Sequence, residues 1–143
     1  MSTENPAIPT RPGSALLIRD LLHRVRTWAP DRTITYRDRL VLTYQDWLGR
    51  VDRLGGWLKE MGVRPGDRVG VMDYDSHRYL ELFFAVPMSG AAIHTVNVRL
   101  TPDQAGFTIA HARDVVLFVH VDFLPMLAAM KDHLKGVRHV VVL

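Results

Sequence analysis

The chain has 143 residues, of which 48% are hydrophobic and 23% charged, a composition that is typical of one folded globular domain and excludes extensive disorder. Its 18 Lys and Arg residues against 15 Asp and Glu give a net charge of only +3, and acidic residues are interspersed with the basic ones, so we expect no nucleic-acid partner. The absence of cysteine excludes a disulfide framework, a thiolate metal site and a cysteine nucleophile.

Residues 1–14 are predicted to be a disordered tail, because they contain three prolines and no apolar run of the kind that a secretory signal has. The remainder, 15–143, is predicted to be one domain. Its most apolar stretch, 82–93, is short and contains Pro87, so we expect no transmembrane segment.

The first two elements are predicted from apolar periodicity. From Ile18 to Trp28 apolar residues recur at steps of three and four, which predicts a helix that ends before Pro30. Residues 34–42 alternate apolar and polar side chains on either side of Asp38, which predicts a β-hairpin whose turn lacks glycine.

A second, longer helix is predicted to begin at Thr43. Thr43 and Asp46 have the spacing of a capping box, in which two side chains satisfy free backbone N–H groups of the first turn. Gly62 is placed to end the helix in the left-handed conformation. Gly55 and Gly56 lie within it although glycine disfavours helix, and close packing against a neighbouring element is the expected reason.

From residue 68 onward, short β-branched or apolar runs alternate with amphipathic segments. The predicted strands are 68–72, 91–96, 115–120 and 138–143, and the predicted helices between them are about 76–89, 102–112 and 123–134. The later runs are apolar on both faces, which is typical of a parallel sheet covered by helices on both sides. Right-handed crossovers place all four strands in one sheet. The sequence therefore predicts an α/β fold: a doubly wound, mostly parallel sheet with flanking helices, preceded by a helix and a β-hairpin.

Ligands of such sheets bind at the carboxyl ends of the strands. There the sequence places 73–75, 95–99 and 120–122. The candidate substrate-binding residues are His94, within the strand just before this edge, and Asn97 and Arg99 at its end. For His94 the favoured interpretation is a buried histidine that is hydrogen-bonded to a backbone carbonyl. No residue of the chain is assigned a catalytic role.

Asp73 and Asp75 form a pair of carboxylates that could hold Mg²⁺ together with phosphate oxygens. The favoured interpretation is that Asp75 or Ser76 caps the following helix while Asp73 is solvated at the strand end. The histidines show no pairing with a carboxylate of the kind that a zinc-binding helix needs, so no metal site is expected.

The order of short motifs resembles the start of the acyl-activating, adenylate-forming (AMP-binding) enzymes, most closely the medium- and long-chain fatty-acid–CoA ligases. The matching segments run through nearly all of the chain after the tail: 42–44, 53–54, 62–69, 77–81, 84–87, 90–91, 94–97, 99–100 and 117–119. Each segment is weak by itself, and their order and spacing together are specific.

The resemblance implies a reaction in two steps, in which ATP activates a carboxylate as an acyl-adenylate and the thiol of CoA then displaces AMP. The complete enzyme would use ATP and Mg²⁺ as cofactors and a fatty acid and CoA as substrates, in the cytoplasm. Such enzymes need a Thr/Ser/Gly-rich phosphate loop, an aspartate for the ribose, a hinge and a lysine in a C-terminal domain, and the chain contains none of these. We therefore expect a part of the large N-terminal domain that binds no cofactor tightly and is inactive alone.

Two alternative functions belong to other classes of protein. One is a non-catalytic assembly module that pairs through its exposed strand and helices. Residues 140–143 form an apolar strand without a polar cap, which would leave an adhesive sheet edge unless something covers it, as expected of a fragment. The partner of the module would be a second copy, giving a homodimer, or a separately encoded remainder of the ligase. The other alternative is a Mg²⁺-dependent phosphotransfer domain that uses Asp73 and Asp75.

Overall fold

The computed structural model describes residues 17–143; the predicted tail at 1–14 lies outside the described residues. The first helix, α1, spans Ile18–Trp28 and ends before Pro30, as predicted. Its apolar face is only partly used, because Leu22 is buried whereas Leu21 and Trp28 are exposed.

The predicted β-hairpin is confirmed. Strands β1 (Thr33–Tyr36) and β2 (Leu40–Thr43) pair antiparallel, joined by a 3-10 turn at Arg37–Arg39. Arg37 has a positive φ of 46°, so it takes the conformation for which hairpin turns usually use glycine. Ile34 and Leu42 face each other in register and pack against the core.

Helix α2 spans Tyr44–Glu60 and begins with the predicted capping box. The Thr43 hydroxyl accepts a hydrogen bond from the Asp46 N–H at 3.0 Å, and the Asp46 carboxylate accepts one from the Thr43 N–H at 3.2 Å. Gly62 follows the helix with a φ of 75°, which confirms its predicted role. The expected close packing at Gly55 and Gly56 is wrong: a side chain at either position would meet nothing within 4 Å.

Four parallel strands form the predicted sheet. They are β3 (Arg68–Met72), β4 (Ala92–Thr95), β5 (Asp114–Val119) and β6 (His139–Val142), each within one residue of the predicted bounds, and their order is β4-β3-β5-β6. The central strand β3 is buried from Val69 to Met72. The chain runs from β3 to its neighbour β4 and then crosses to β5 on the other side of β3.

Helices cover both faces, so the doubly wound α/β architecture is confirmed. On one face, α1, α2 and α3 (His77–Met88) enclose a core that includes Val69, Val71, Val116 and Phe118 of the sheet. On the other face, α4 (Pro102–Ala112) and α5 (Leu124–Ala129) enclose Met72, Leu117 and Val119.

The predicted helix at 123–134 is wrong in extent. The structure divides it into a 3-10 turn at Val121–Phe123, the short α5 and a second 3-10 turn at Lys131–Leu134. Pro125 sets the start of α5, and Met130 ends it with φ of −103° and ψ of 16°. The Met130 side chain is buried in the second core, so tertiary packing outweighs helix continuation there. None of the helices in residues 17–143 is long and apolar enough to cross a membrane.

Candidate functional site at the carboxyl edge of the sheet

The carboxyl ends of β3 and β5 lie side by side, and the chain leaves them toward opposite faces. After β3 it continues into α3, which packs on one face, and after β5 it continues through the 3-10 turn into α5, which packs on the other. A crevice forms at such a switch point in doubly wound folds, and ligands bind there.

Three rings line this switch point. The Tyr74 ring lies 5.0 Å from the His120 ring and 4.9 Å from the Phe123 ring, centroid to centroid. The His120 Nδ1 accepts a hydrogen bond from the Asp122 N–H at 3.2 Å, which fixes the direction of the imidazole. Tyr74 stays exposed, so this edge presents an aromatic surface to solvent.

Asp73 is a structural residue, and its expected solvation is wrong. The carboxylate is buried and accepts hydrogen bonds from the Tyr74 N–H at 2.8 Å and from the Ser76 hydroxyl. Ser76 in turn accepts from the Tyr79 N–H at 3.1 Å, so Ser76 is the cap of α3. Both oxygens of Asp73 are thus engaged within the turn. In residues 17–143 no three His, Asp or Glu side chains are grouped to hold a metal ion.

Asn97 and Arg99 lie together in the loop between β4 and α4. The Asn97 side-chain oxygen accepts a hydrogen bond from the Arg99 N–H at 3.0 Å, and the Asn97 carbonyl accepts one from the Leu100 N–H at 3.3 Å. The loop then enters the Thr101 capping box of α4. Both Asn97 and Arg99 are exposed, and within residues 17–143 the Arg99 guanidinium forms no ion pair.

His94 is placed differently from the other two candidates. Its Nδ1 lies 2.6 Å from the Oδ2 of Asp114 at the start of β5, on the far side of β3. The backbone carbonyl that was expected as its partner is therefore wrong, and the partner is a buried carboxyl group. Sequence reasoning missed Asp114 altogether. The available signal was Gly70 within an apolar strand, since such a glycine often marks a close approach of another group.

A cavity lies beside this edge, between the hairpin and the first turns of α3. It has a volume of about 280 Å³, and Tyr36, His77 and Phe83 are among its lining residues. Burial lowers the pKa of His77 below its ordinary value, and Arg78 acts in the same direction. Burial also raises the pKa of the Tyr79 hydroxyl, which a hydrogen bond with Thr95 opposes.

The comparisons with known proteins agree with this architecture. The family model described as AMP-binding enzyme matches residues 22–143. The chain is 34% identical over 132 residues to the 3-methylmercaptopropionyl-CoA ligase of Ruegeria lacuscaerulensis, covering 90% of this chain and 24% of that protein. It is 42% identical over 101 residues to the long-chain-fatty-acid–CoA ligase of Thermus thermophilus, covering 71% of this chain and 19% of that protein.

A solved structure shows the same fold. The crystal structure of an anthranilate CoA ligase in complex with anthranoyl-AMP matches with a TM-score of 0.82 and 29% identity, over 89% of this chain and 25% of that one. The chain thus spans about a quarter or less of the length of these three proteins. Since the family model covers most of the sequence, the chain belongs to the AMP-binding enzyme family, and the relatives that it matches are acyl-CoA ligases.

Proposed function

We propose that this chain forms part of the large N-terminal domain of an ATP-dependent fatty-acid–CoA ligase. In the proposed reaction the carboxylate of a fatty acid attacks ATP to give an acyl-adenylate and pyrophosphate, and the thiol of CoA then displaces AMP to give the thioester. The observation that carries the proposal is the match of residues 22–143 to the AMP-binding family, together with the likeness to a long-chain-fatty-acid–CoA ligase. The proposed location is the cytoplasm.

Within such an enzyme the chain would supply scaffold and one wall of a substrate channel. Asn97 and Arg99 are exposed at the carboxyl edge, where ligands of doubly wound sheets bind, and the Arg99 guanidinium is suited to a phosphate or carboxylate oxygen. We assign direct substrate contact to these two residues. His94 is half-buried and already hydrogen-bonded, so its contribution to substrate binding would pass through the loop that it precedes.

The proposal includes that the chain alone does not catalyse the ligation. No phosphate loop of the adenylate-forming type occurs in the sequence, and the Asp73 carboxylate is engaged by Tyr74 and Ser76. ATP and Mg²⁺ would therefore bind to residues that the rest of a complete ligase supplies.

The direct test is exchange of pyrophosphate into ATP in the presence of fatty acids. The chain alone should give no exchange above the protein-free background. Fatty-acid-dependent exchange by residues 1–143 would show that a complete catalytic site is present and would overturn this part of the proposal.

A chimera tests the ligase assignment itself. The segment of the Thermus thermophilus ligase that matches this chain is replaced by the corresponding segment of this chain, and the same ligase without that segment is the control. We expect the chimera to regain fatty-acid-dependent pyrophosphate exchange, with the control inactive. A chimera that folds and binds ATP and yet activates no fatty acid would contradict the assignment.

A second candidate function is a non-catalytic assembly module, which one observation favours. Strand β6 is at the edge of the sheet, and its Val140 and Val142 side chains are 44% and 53% exposed. An open apolar edge is a template for another strand. Sequencing the adjacent DNA separates the two functions, since a following frame with a phosphate loop and a terminal lysine supports the ligase and an unrelated frame supports the module.

A further inference from the structure

A hydrogen bond connects two strands that are not neighbours in the sheet. His94 in β4 and Asp114 in β5 lie on opposite sides of β3, and their side chains meet over it with the Nδ1 to Oδ2 distance of 2.6 Å. We call this pair the His94–Asp114 bridge. The two strands exchange no backbone hydrogen bonds, so the bridge adds a tie that the sheet ladder itself does not provide.

The bridge passes over Gly70, which is the partner of His94 in the register of β3 and β4. A Cβ atom on Gly70 would lie 2.7 Å from the Asp114 Oδ2 and 2.7 Å from the Leu117 Cδ1. Both distances are shorter than any van der Waals contact of carbon, so a side chain there would displace the carboxyl group. The path of the bridge therefore requires glycine at this position.

Stability alone is a weak explanation of this arrangement. The Asp114 side chain is 0% exposed, and its Oδ1 is buried without a hydrogen-bond partner in the described part of the chain. A buried polar oxygen that lacks a partner opposes folding. Buried pairs of this kind can often be replaced by packed apolar residues without loss of stability. What the pair does provide is a fixed distance between β4 and β5.

The fixed distance between β4 and β5 affects the loop that follows β4. This strand is at the sheet edge and is held by backbone hydrogen bonds to β3 alone, the last of which joins the Val96 N–H to the Val71 carbonyl. The loop has its own internal hydrogen bonds between Asn97 and Arg99. Its direction relative to the sheet is therefore set by Val98 and Leu100, which pack against the second core, and by the end of β4, which His94 ties to β5.

We propose that Asp114 and His94 are positioning residues, which hold the end of β4 so that Arg99 stands at a fixed place on the carboxyl edge and binds an anionic group of the substrate. The anion is a phosphate or a carboxylate, because the guanidinium donates paired hydrogen bonds to either. The identity of that ligand rests on the proposed function, whereas the coupling of the bridge to the loop does not.

The test uses the whole chain and two readouts. Amide hydrogen exchange at Arg99 and Leu100 reports the order of the loop without a ligand, and titration with inorganic pyrophosphate, followed at the Arg99 side-chain Nε signal, reports anion binding. The variants are Asp114→Ala, Asp114→Asn and Gly70→Ala. The control is Ile109→Ala, which truncates a buried apolar side chain of the core on the same face of the sheet.

We expect Asp114→Ala and Gly70→Ala to speed amide exchange at Arg99 by about fivefold or more. The comparison is made at denaturant concentrations where these variants and the Ile109→Ala control are equally stable. The control should leave exchange at Arg99 unchanged. Asp114→Asn keeps an acceptor for Nδ1 and should give a smaller effect. Pyrophosphate should bind the Asp114→Ala variant several-fold more weakly than the wild type, and Arg99→Gln should abolish that binding.

Three results would overturn the inference. If the Ile109→Ala control speeds exchange at Arg99 equally, the bridge contributes only to stability. If exchange at Arg99 is unchanged in both Asp114→Ala and Gly70→Ala, the bridge is not coupled to the loop. Wild-type protein that binds no pyrophosphate would remove the anion from the proposal. An inactive chimera combined with altered exchange at Arg99 would instead retain the positioning role and refute the ligase assignment.

Discussion

Arg50 of α2 and Glu81 of α3 form an ion pair with two contacts, Nε to Oε1 at 2.5 Å and Nη2 to Oε2 at 3.3 Å. The Glu81 side chain is 7% exposed, whereas that of Arg50 is 35% exposed. This paired geometry joins two of the helices that cover one face of the sheet, and it provides the partner without which a buried carboxylate is very unfavourable.

Removing Arg50 should therefore destabilise the protein more than removing both partners. We expect Arg50→Met to lower the free energy of unfolding by about 2–3 kcal/mol, since breaking a buried pair costs roughly 3–5 kcal/mol and Arg50 is partly solvated. The double variant Arg50→Met with Glu81→Leu should recover most of that loss. Urea unfolding of the two variants measures the difference, and an equally unstable double variant would contradict it.

Replacing Gly56 by alanine should stabilise the protein. This glycine lies within α2, and a side chain there would meet nothing within 4 Å, so the helix propensity of alanine is gained without a clash. We expect an increase of roughly 0.5–1 kcal/mol in the free energy of unfolding. Gly70→Ala is the matched opposite case, because its Cβ would meet Asp114 and Leu117 at 2.7 Å. A loss of stability in Gly56→Ala would show that α2 is constrained by an additional contact.

The pKa of His77 predicts how stability depends on pH. Burial lowers this pKa in the folded protein below the value of about 6.5 that an unfolded chain has, so the folded state favours the neutral imidazole. The stability that the neutral His77 side chain gives the folded state is fully present above pH 6.5. It is lost as pH falls through the lower pKa of the folded protein. Urea midpoints of the wild type should fall between pH 7.5 and 5.5 by more than those of His77→Gln. Parallel pH profiles for the two proteins would exclude His77 as the cause.

The capping box of α2 allows a spectroscopic prediction. Hydrogen bonds from the side chain and the backbone of Thr43 lower the pKa of Asp46. Thr43→Ala removes the first of these, so the pKa of Asp46 should rise toward its ordinary value and the protein should lose about 1 kcal/mol of stability. Carbon-13 titration of the Asp46 carboxylate measures the pKa. Thr43→Ser keeps the hydroxyl and is the control, which should leave the pKa of Asp46 low.

Strand β6 predicts the behaviour of the chain in solution. Val140 and Val142 are exposed on the edge strand, so we expect the isolated chain to self-associate as its concentration rises. Val142→Lys should shift the distribution toward monomer in sedimentation experiments, because a charge on an edge strand opposes pairing. The exposed Val41, on the hairpin, gives the control substitution Val41→Lys, which should leave self-association unchanged.

The features that the sequence predicts correctly are those with local signals. The helices after Thr43 and Thr101 are predicted from side chains that can accept hydrogen bonds from the backbone three residues away. The strands of the sheet are predicted from short β-branched or apolar runs that alternate with amphipathic segments. The features that it does not predict depend on strand order. Asp114 meets His94 only because β4 and β5 lie on opposite sides of β3, which no local pattern encodes. The burial of Met130 that ends α5 is likewise a consequence of tertiary packing. The hydrogen bonds of Asp73 to Tyr74 and Ser76 are local, but no pattern in the sequence predicts its burial.

The place of β3 in the sheet also bears on how the protein is made. Both hydrogen-bonding partners of this central strand, β4 and β5, are synthesised after it, and β5 ends only at Val119. At a translation rate of roughly 5–20 residues per second, this strand therefore waits several seconds on the ribosome before its second neighbour exists. During that interval its backbone is open to other chains, and a chaperone that covers apolar segments of nascent chains would have its binding site there.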